Sequence, residues 1–322
     1  MRVTTSMTSL SVINNIQTNL NKLNKTYNQM SAERKILLAQ DDTSGSVKAM
    51  GLRTELSEIE QYTRNLDAAN AVLTETDSSL GQVTTTLNRV RELTVEASNS
   101  TNDQTSRDAV GDEINQLLEG LIDVANTQVA GRYIFGGYQT KEAPYSYKTG
   151  GNDGTTGSET LTTVAGEIRT GINSNNITVV ENKGDDGELV TEVSPNVVLP
   201  FTVSGQDIFG KNNEMFKTIS NLRDSLYKND TKAIQNSLGD LDDLIDQNLR
   251  VQSKVGALSN RVDKVTDRLT NKDYSVTDLL SKTEDVDYAQ ALIDLNTQSM
   301  VHQLSLQVGA KLIQPTLMDF LN

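Results

Sequence analysis

Apolar residues recur every three or four positions through long stretches at both ends of this 322-residue chain. In the stretch nearest the N-terminus they are separated almost entirely by Asn, Gln, Thr and Lys, and they are Ile13, Ile16, Leu20, Leu23, Tyr27 and Met30. Steps of three and four place such residues along one side of an α-helix, in the pattern of a coiled coil. We call this set the first stripe.

A matching amphipathic pattern closes the chain over residues 288–322. Its apolar positions, which we call the last stripe, are Leu292, Leu295, Leu304, Val308 and Leu312. A single helix with a one-sided apolar stripe is marginal in water, so we expect the two terminal helices to pair. A pair of helices still leaves apolar edges exposed. We therefore predict that both stripes are buried chiefly against other copies of the chain, with a purely intramolecular core as the alternative.

Long helices are predicted in the parts of the sequence that lie next to the two terminal helices. One apolar series runs from Leu52 to Ala97 through Asn70 and Asp77, with one extra step of three that predicts a local overwinding of the helix. A second series runs from Phe216 to Leu269, and the polar segment "NKDYSVTDLLSKTED" is predicted to interrupt it. The segment "LLAQDDTSGS", which breaks the pattern between the first two helices, predicts a turn and a new helix start.

The middle of the chain lacks the helical periodicity of the two ends. Gly136 and Gly137 follow the densest aromatic cluster in "VAGRYIFGGYQT" and predict a tight turn between a helix and a sheet. From about residue 141 to 212, short Val/Ile/Thr runs alternate with Gly/Asn/Asp segments, which is typical of short strands. Because "NKGDDGE" lacks the full spacing of a calcium-binding loop, we predict a hairpin turn there.

These patterns predict a mainly α fold with a β-rich insert. We expect residues 1–40 and 285–322 to form a terminal coiled-coil assembly domain, and residues 41–138 and 213–284 to form a long helical bundle. Residues 139–212 are expected to form a small β-rich domain. A layout that is nearly symmetric about its insert predicts a rod that folds back on itself, with its two termini paired.

Composition and charge exclude several classes of function. The formal net charge of −14 argues against nucleic acid and an anionic membrane surface as partners. The chain has no cysteine, which removes disulfides and thiolate chemistry, and no apolar run long enough to span a bilayer. The first sixteen residues lack the apolar core of a secretory signal peptide, so any export is expected to use another route.

No constellation of residues indicates an enzyme or a cofactor site. His302 is the sole histidine, and a metal site or a catalytic triad built around it is disfavoured against a packed or solvated side chain. The run "LDDLIDQ" is interpreted as a solvated helix face. We predict no catalytic, metal or cofactor-binding residues. The arginines Arg53, Arg64, Arg89, Arg91 and Arg132 fit intersubunit ion pairs or ordinary exposed pairs equally well.

Two segments resemble the flagellin superfamily. The first, "LAQDDTSGSVKAMGLRTELSEIEQYTRNLDAAN", resembles the superfamily signature with Asp41 and Asp42 in the turn, although Thr43 stands where the family often has Pro. The second, "VAGRYIFGGYQTKEAPYSY", resembles the hook-associated protein 3 branch, the hook–filament junction proteins. Its matching positions include Arg132, Tyr133, Phe135 and Gly137. The tail "KLIQPTLMDFLN" is similar to the ending of that branch, with Pro315 as a departure.

The resemblance implies an elongated rod of three domains, with the β domain as the outer domain at its tip. The same resemblance implies a structural subunit of the bacterial flagellum that joins hook to filament through its terminal helices. It also implies a ring of identical copies, with hook-associated protein 1 on the hook side and flagellin on the filament side. An export chaperone and secretion by the flagellar type III apparatus, without a cleaved signal peptide, are further implications. Two alternatives stay open: a filament flagellin, and a secreted coiled-coil adhesin whose β domain binds a ligand.

Overall fold

The computed structural model describes residues 5–99, 103–149 and 177–313. The helices, in chain order, are α1 (Thr5–Ser31), α2 (Thr43–Ala97), α3 (Gln104–Ala125), α4 (Gly205–Phe209), α5 (Glu214–Tyr227), α6 (Thr231–Glu284) and α7 (Tyr288–Ile313), with a 3₁₀ turn at Lys211–Asn213. The strands are β1 (Gln128–Val129), β2 (Arg132–Tyr133), β3 (Tyr145–Thr149), β4 (Ile177–Asn182), β5 (Val190–Ser194) and β6 (Val197–Pro200). The predicted fold class, mainly α with a strand-containing insert, is confirmed.

The chain divides into two compact units. The first unit contains Met1–Glu60 and Thr270–Asn322, and the second contains Gln61–Leu269. The helices α2 and α6 therefore each contribute one part to each unit. The division into three domains proposed from the sequence stays a prediction, and residues 150–176 of its β domain lie outside the described residues.

In the second unit, the buried side of α2 follows a regular heptad pattern. At two positions the buried residue precedes the predicted one by one position. Its main series is Leu66, Ala69, Leu73, Thr76, Leu80, Val83, Leu87, Val90, Thr94 and Ala97, and Ser79 and Leu93 are buried beside it. The steps of this series alternate between three and four, so the extra step of three predicted between Leu80 and Val83 was wrong at that place. Asn70 and Asp77, which were placed in the series, are exposed. The small residues Ala69 and Thr76 fill these layers instead, because side chains of that size let neighbouring helices approach closely.

The predicted break near residue 271 was also wrong, since α6 continues to Glu284. Its buried side continues from Leu269 to Val276, with Asp273 partly buried between them. The polar Asp273 at a stripe position concealed the periodicity in the sequence. A partly buried carboxylate at a helix flank keeps contact with solvent, which is why the helix tolerates it there.

The described strands form three two-stranded antiparallel sheets: β1 with β2, β3 with β4, and β5 with β6. The β1–β2 hairpin turns at Ala130 and Gly131, whose φ angles of 50° and 75° are the signs that a type I′ turn requires. "NKGDDGE" links β4 to β5, which belong to different sheets, so the predicted hairpin turn was wrong. This segment instead packs on the glycine turn, where Asp185 Oδ1 accepts the backbone N–H of Tyr138 at 2.8 Å.

Four aromatic side chains join the insert to the helices of the second unit. They are Phe135, Tyr145, Phe209 and Phe216, each at most 2% exposed. Phe135 meets Phe209 edge to face at 5.7 Å, and Phe209 stacks on Phe216 at 5.1 Å. Edge-to-face and stacked pairs at these distances add stability beyond the apolar area they bury. Burial also raises the pKa of the Tyr145 phenol, with a smaller contribution from the nearby carboxylate of Asp186.

Candidate assembly interface

The terminal helices α1 and α7 pack antiparallel against each other within the first unit. Asn19 Nδ2 donates to Ser305 Oγ at 2.9 Å. Seven residues further along α1, Thr26 Oγ1 donates to Gln298 Oε1, also at 2.9 Å. As the position on α1 rises by seven, the position on α7 falls by seven, which defines an antiparallel heptad register.

The residues through which the helices meet form what we call the pairing face. On α1 its buried and partly buried members are Val12, Ile16, Asn19, Leu23, Thr26 and Met30. On α7 they are Ala291, Leu295, Gln298, His302, Ser305 and Gly309. Both series advance in strict alternation of four and three residues, so the expectation that the terminal helices pair as a coiled coil is confirmed.

The pairing face takes in part of the first stripe. Ile16, Leu23 and Met30 lie on it, and Leu20 is half-buried. Ile13 and Tyr27, in contrast, are 51% and 62% exposed. The stripe on α1 is thus broader than one partner helix can cover, and one of its edges stays in solvent.

The last stripe lies mostly outside the pairing face. Leu295 belongs to the face, whereas Leu292, Leu304 and Val308 are each about half exposed. The side chain of Leu312 lies outside the described residues. The apolar residues of α7 are thus distributed around much of its circumference, and burial of the last stripe against other copies of the chain stays a prediction.

Sequence reasoning missed the small and polar members of the pairing face. Thr26 and Ala291 are 8% and 7% exposed, and Gly309 is buried. A Cβ atom at Gly309 would lie 3.1 Å from Ile16 Cδ1 and 3.2 Å from Val12 Cγ1, so glycine permits the close approach of the two helices there. The strict four–three spacing of these residues was the available signal, but a search for apolar positions alone passes over it.

Exposed apolar surface is concentrated in the first unit. Among the described residues, its exposed large apolar side chains are Met7, Leu10, Ile13, Tyr27, Leu37, Leu38, Val47, Met50, Tyr274, Leu279, Tyr288, Leu292, Ile293, Met300, Val301, Leu304, Leu306 and Val308. The buried apolar residues described there are Ala49, Leu52, Ile59, Val276 and Ala291. An open groove of about 260 Å³ runs along the helix pair, walled by apolar side chains and by Asn15 and Ser305. The second unit shows the opposite balance and holds most of the buried core.

The motif residues Asp41 and Asp42 have distinct structural roles at the start of α2. Asp42 Oδ1 accepts the N–H of Gly45 at 2.9 Å, which caps the helix and confirms the predicted helix start. Asp41 forms an ion pair with Lys25 at 2.7 Å and accepts the backbone N–H of Leu38 at 3.1 Å. The hydrogen bond from Lys25 is the main cause that lowers the pKa of Asp41.

The second set of motif residues builds the base of the insert in the second unit. Arg132 is exposed, Tyr133 is half-buried, and both lie in β2. Phe135 is part of the aromatic core. Gly137 has a φ of +64°, and a Cβ there would lie 1.9 Å from Asp185 Oδ1. The predicted tight turn is confirmed, although it separates β2 from β3 and does not directly follow a helix.

Several arginines of the long helices are engaged within the chain. Arg89 pairs with Glu113 and Arg91 with Asp242, at 2.7 and 2.6 Å. Arg53 pairs with the buried carboxylate of Glu284. The pairs of Arg89 and Arg91 are ordinary exposed pairs, which favours the second of the two interpretations made from the sequence for these two residues.

Across residues 5–99, 103–149 and 177–313, no group of three or more His, Asp or Glu side chains could hold a metal ion. Within the same ranges, no helix is long and apolar enough to cross a membrane.

His302 lies on the pairing face, where its Nδ1 is buried without a hydrogen-bond partner in the structure. Of the packed and solvated side chains that the sequence left open for His302, the structure shows the packed one.

Two family models match the chain. The model of the bacterial flagellin N-terminal helical region matches residues 3–140, and that of the C-terminal helical region matches residues 238–321. Together they cover more than half of the chain. The chain belongs to the flagellin family. The matched regions hold both terminal helices, α2, α3 and nearly all of α6, so the family assignment rests on the helical part of the molecule.

One known flagellin is similar to this chain in sequence, and two solved structures are similar to it in fold. A flagellin of Escherichia coli O127:H6 is 30% identical over 156 residues, which are 48% of this chain and 28% of that protein. The chain thus spans less than a third of the length of that relative. The Bacillus cereus FlgL structure is similar with a TM-score of 0.55 at 20% identity, covering 72% of this chain and 99% of that one. The flagellar junction protein FlgL from Legionella pneumophila gives 0.54 at 15% identity, with 75% and 100% covered.

Proposed function

We propose that this flagellin-family chain is a structural subunit of the bacterial flagellum, located at the junction between hook and filament. One support is the fold, which is similar to those of FlgL proteins along nearly their whole length. The other is the segment "VAGRYIFGGYQTKEAPYSY", which contributes Phe135 and Tyr145 to the aromatic core. The subunit acts by its shape and its contacts. It carries out no covalent chemistry.

The observation that carries the proposal is the surplus of apolar surface on the first unit. The exposed edge of α1 and the outer side of α7 run alongside the pairing face for several turns. Burying the remaining half of one such side chain gives roughly 1 kcal/mol, so a dozen of them supply enough free energy to hold neighbouring subunits together. Contiguous exposed apolar surface of this extent is typical of an interaction site.

We infer that the occupants of this surface are the terminal helices of other copies, arranged in a ring of the flagellar axial structure. In this arrangement hook-associated protein 1 contacts the ring on the hook side and flagellin contacts it on the filament side. Before assembly the same apolar surface needs protection, which an export chaperone supplies. The flagellar type III apparatus exports the chain to the cell exterior.

The assembly surface is tested by placing a charge on it. Ile13→Asp and Leu304→Asp put a carboxylate on the two exposed edges, and neither position lies on the pairing face. The matched control is Val198→Asp on β6, where the side chain is 56% exposed in the second unit. We expect the first two variants, expressed in a deletion strain, to leave hooks without filaments, while the control restores swimming. Normal filaments on cells with the double variant I13D/L304D would contradict the proposal.

A filament flagellin is the second candidate, favoured by the 30% identity to Escherichia coli flagellin. The two functions are separated by electron microscopy of a strain that lacks this chain but keeps its other flagellins. A junction subunit predicts hooks without filaments and flagellin shed into the medium. A filament subunit predicts hooks, an intact junction and no flagellin-sized protein shed. Normal flagella combined with lost surface attachment would instead indicate the adhesin that the sequence left open.

A further inference from the structure

The connections that join the terminal helices to the long helices lie side by side within the first unit. Lys35 donates its backbone N–H to the carbonyl oxygen of Glu284 at 2.7 Å, and Val286 donates its backbone N–H to the carbonyl oxygen of Glu33 at 3.2 Å. These bonds form a short antiparallel bridge between residues 33–35 and 284–286. The bridge lies where α1 has just ended and α7 is about to begin.

A buried carboxylate reinforces this bridge. The Glu284 side chain, 6% exposed, forms ion pairs with Arg53 of α2 and with Arg34, the latter at 3.4 Å. Glu33 adopts a φ of +59°, which closes the end of α1 in a position where glycine is usual. An unfavourable backbone conformation of this kind persists when surrounding contacts over-determine it. We call the bridge and the two ion pairs the clasp.

The pairing face by itself specifies its register weakly. If α1 shifts by one heptad so that Asn19 faces Gln298, then Ile16 and Leu23 again face members of the α7 series, with His302 opposite Ile16 in place of Gly309. The shift costs chiefly two polar contacts, those of Asn19 and Thr26, and the fit at Gly309 described above. Heptad seams with repeating layers are prone to such alternatives, which proteins suppress with a polar contact that fits one register alone.

We propose that Glu284 is a positioning residue that sets the register of the terminal-helix pair through the clasp. Both helices leave the clasp in the same direction, so fixing their starting points fixes which residues oppose each other along the pair. This inference deepens the proposed function, because the apolar edges on α1 and α7 form one continuous assembly surface in a single register. A shifted pair presents these edges in a different alignment to a neighbouring copy.

The register is measured by engineered disulfides, which have no background because the natural chain has no cysteine. The pair N19C/S305C reports the register in the structure, since these side chains touch. The pair N19C/Q298C reports a shift by one heptad, because residues 298 and 305 lie about 10 Å apart along a helix. Each pair is placed in three backgrounds: wild type, Glu284→Gln, and Asp285→Asn. The last removes the same charge one residue away, outside the buried ion pairs.

We expect the N19C/S305C disulfide alone in the wild-type and Asp285→Asn backgrounds. In the Glu284→Gln background the N19C/Q298C disulfide should rise at least tenfold over wild type. Arg53→Gln removes the same buried pair from the α2 side and should act alike, which covers the case of a poorly folding Glu284→Gln chain. The proposal is overturned if both substitutions leave the shifted disulfide at the wild-type level, if Asp285→Asn raises it equally, or if the wild-type register does not cross-link.

The same samples separate this inference from the proposed function. Ring or filament formation is scored for the wild-type chain by electron microscopy. Failure of the wild-type chain to assemble contradicts the proposed function, and the clasp is still supported if Glu284→Gln raises the N19C/Q298C disulfide in the same samples. Normal assembly of Glu284→Gln with an unshifted register supports the proposed function and contradicts the clasp.

Discussion

The side-chain amide of Asn126 holds the backbone of Tyr145 through two hydrogen bonds. Its Nδ2 donates to the Tyr145 carbonyl oxygen at 2.8 Å, and its Oδ1 accepts the Tyr145 N–H at 3.0 Å. Asn126 caps the C-terminal end of α3, whereas Tyr145 begins β3 and enters the aromatic core. One amide therefore sets where the insert begins relative to the helix that precedes it.

Asn126→Ala should destabilise the second unit by about 2 kcal/mol, since it removes both hydrogen bonds from partly buried groups. Urea unfolding followed by circular dichroism measures this change. The control is Gln128→Ala, an exposed residue two positions along the chain, which should change stability by less than about 0.5 kcal/mol. Equal effects of the two substitutions would show that the amide does not hold Tyr145 in solution.

Gly137→Ala should destabilise the chain by about 3 kcal/mol, because the new methyl group combines a positive φ with an overlap onto Asp185. Gly120→Ala is the matched control, since that exposed glycine lies in α3 and a Cβ there meets nothing within 4 Å. The control should gain roughly 0.5–1 kcal/mol from helix propensity. Calorimetric melting temperatures that move in the same direction for both variants would refute this account of the turn.

Asn248→Asp should destabilise the second unit by roughly 3 kcal/mol at neutral pH. Asn248 is fully buried and donates its Nδ2 to the Leu80 carbonyl oxygen at 3.0 Å and to Thr84. A carboxylate would face these acceptors without a donor, inside a helix interface. Because burial favours the neutral acid, we expect the loss to shrink as the pH falls below about 5.

Asn70→Asp is the control for that substitution, since Asn70 is exposed on α2. It adds the same charge to the same unit, and unfolding by guanidinium chloride should show a change of less than about 0.5 kcal/mol. A large effect at Asn70 would place this residue in the stripe after all, as its spacing in the sequence predicted.

The Asp41 carboxyl group should titrate below its ordinary pKa of 3.8 in the folded chain, mainly because of its hydrogen bond with Lys25. A lowered folded pKa means that the carboxylate stabilises the turn above about pH 4, and that this contribution is lost as the pH falls through the folded pKa. Carbon-detected NMR of the carboxyl group measures the midpoint. Lys25→Ala should move the midpoint upward, and an unchanged midpoint would contradict the assigned cause.

Much of this architecture can be read from spacing alone. The helical identity of the termini follows from apolar residues in steps of three and four, as at Ile16 and Leu23. The helix start at Asp42 follows from a side chain that caps the amide three residues on. Strands β4, β5 and β6 coincide with the Val-rich runs, because β-branched residues favour extended backbone. These features depend on local chemistry, which the sequence states directly.

Which side chains of α1 contact α7 depends on the tertiary structure. The sequence shows an apolar stripe on α1, yet it does not reveal that Val12, Asn19 and Thr26 face α7 while Ile13 and Tyr27 face solvent. The two sets lie on opposite sides of the same central residues of α1. The local spacing allows either set to face the partner helix. The choice depends on small and polar residues of the opposing helix, such as Ser305 and Gly309, which lie nearly three hundred positions away.

Periodicity and turn chemistry act between near neighbours, and they suffice to specify long amphipathic helices around a β-containing insert. The clasp at Glu284, the phase of the buried stripe on α2 and the contact of Asp185 with the glycine turn are seen in the folded chain alone. Each of these joins segments that are distant in sequence. Their physical basis is close packing, in which the size and polarity of one side chain matter only once the opposing surface is in place.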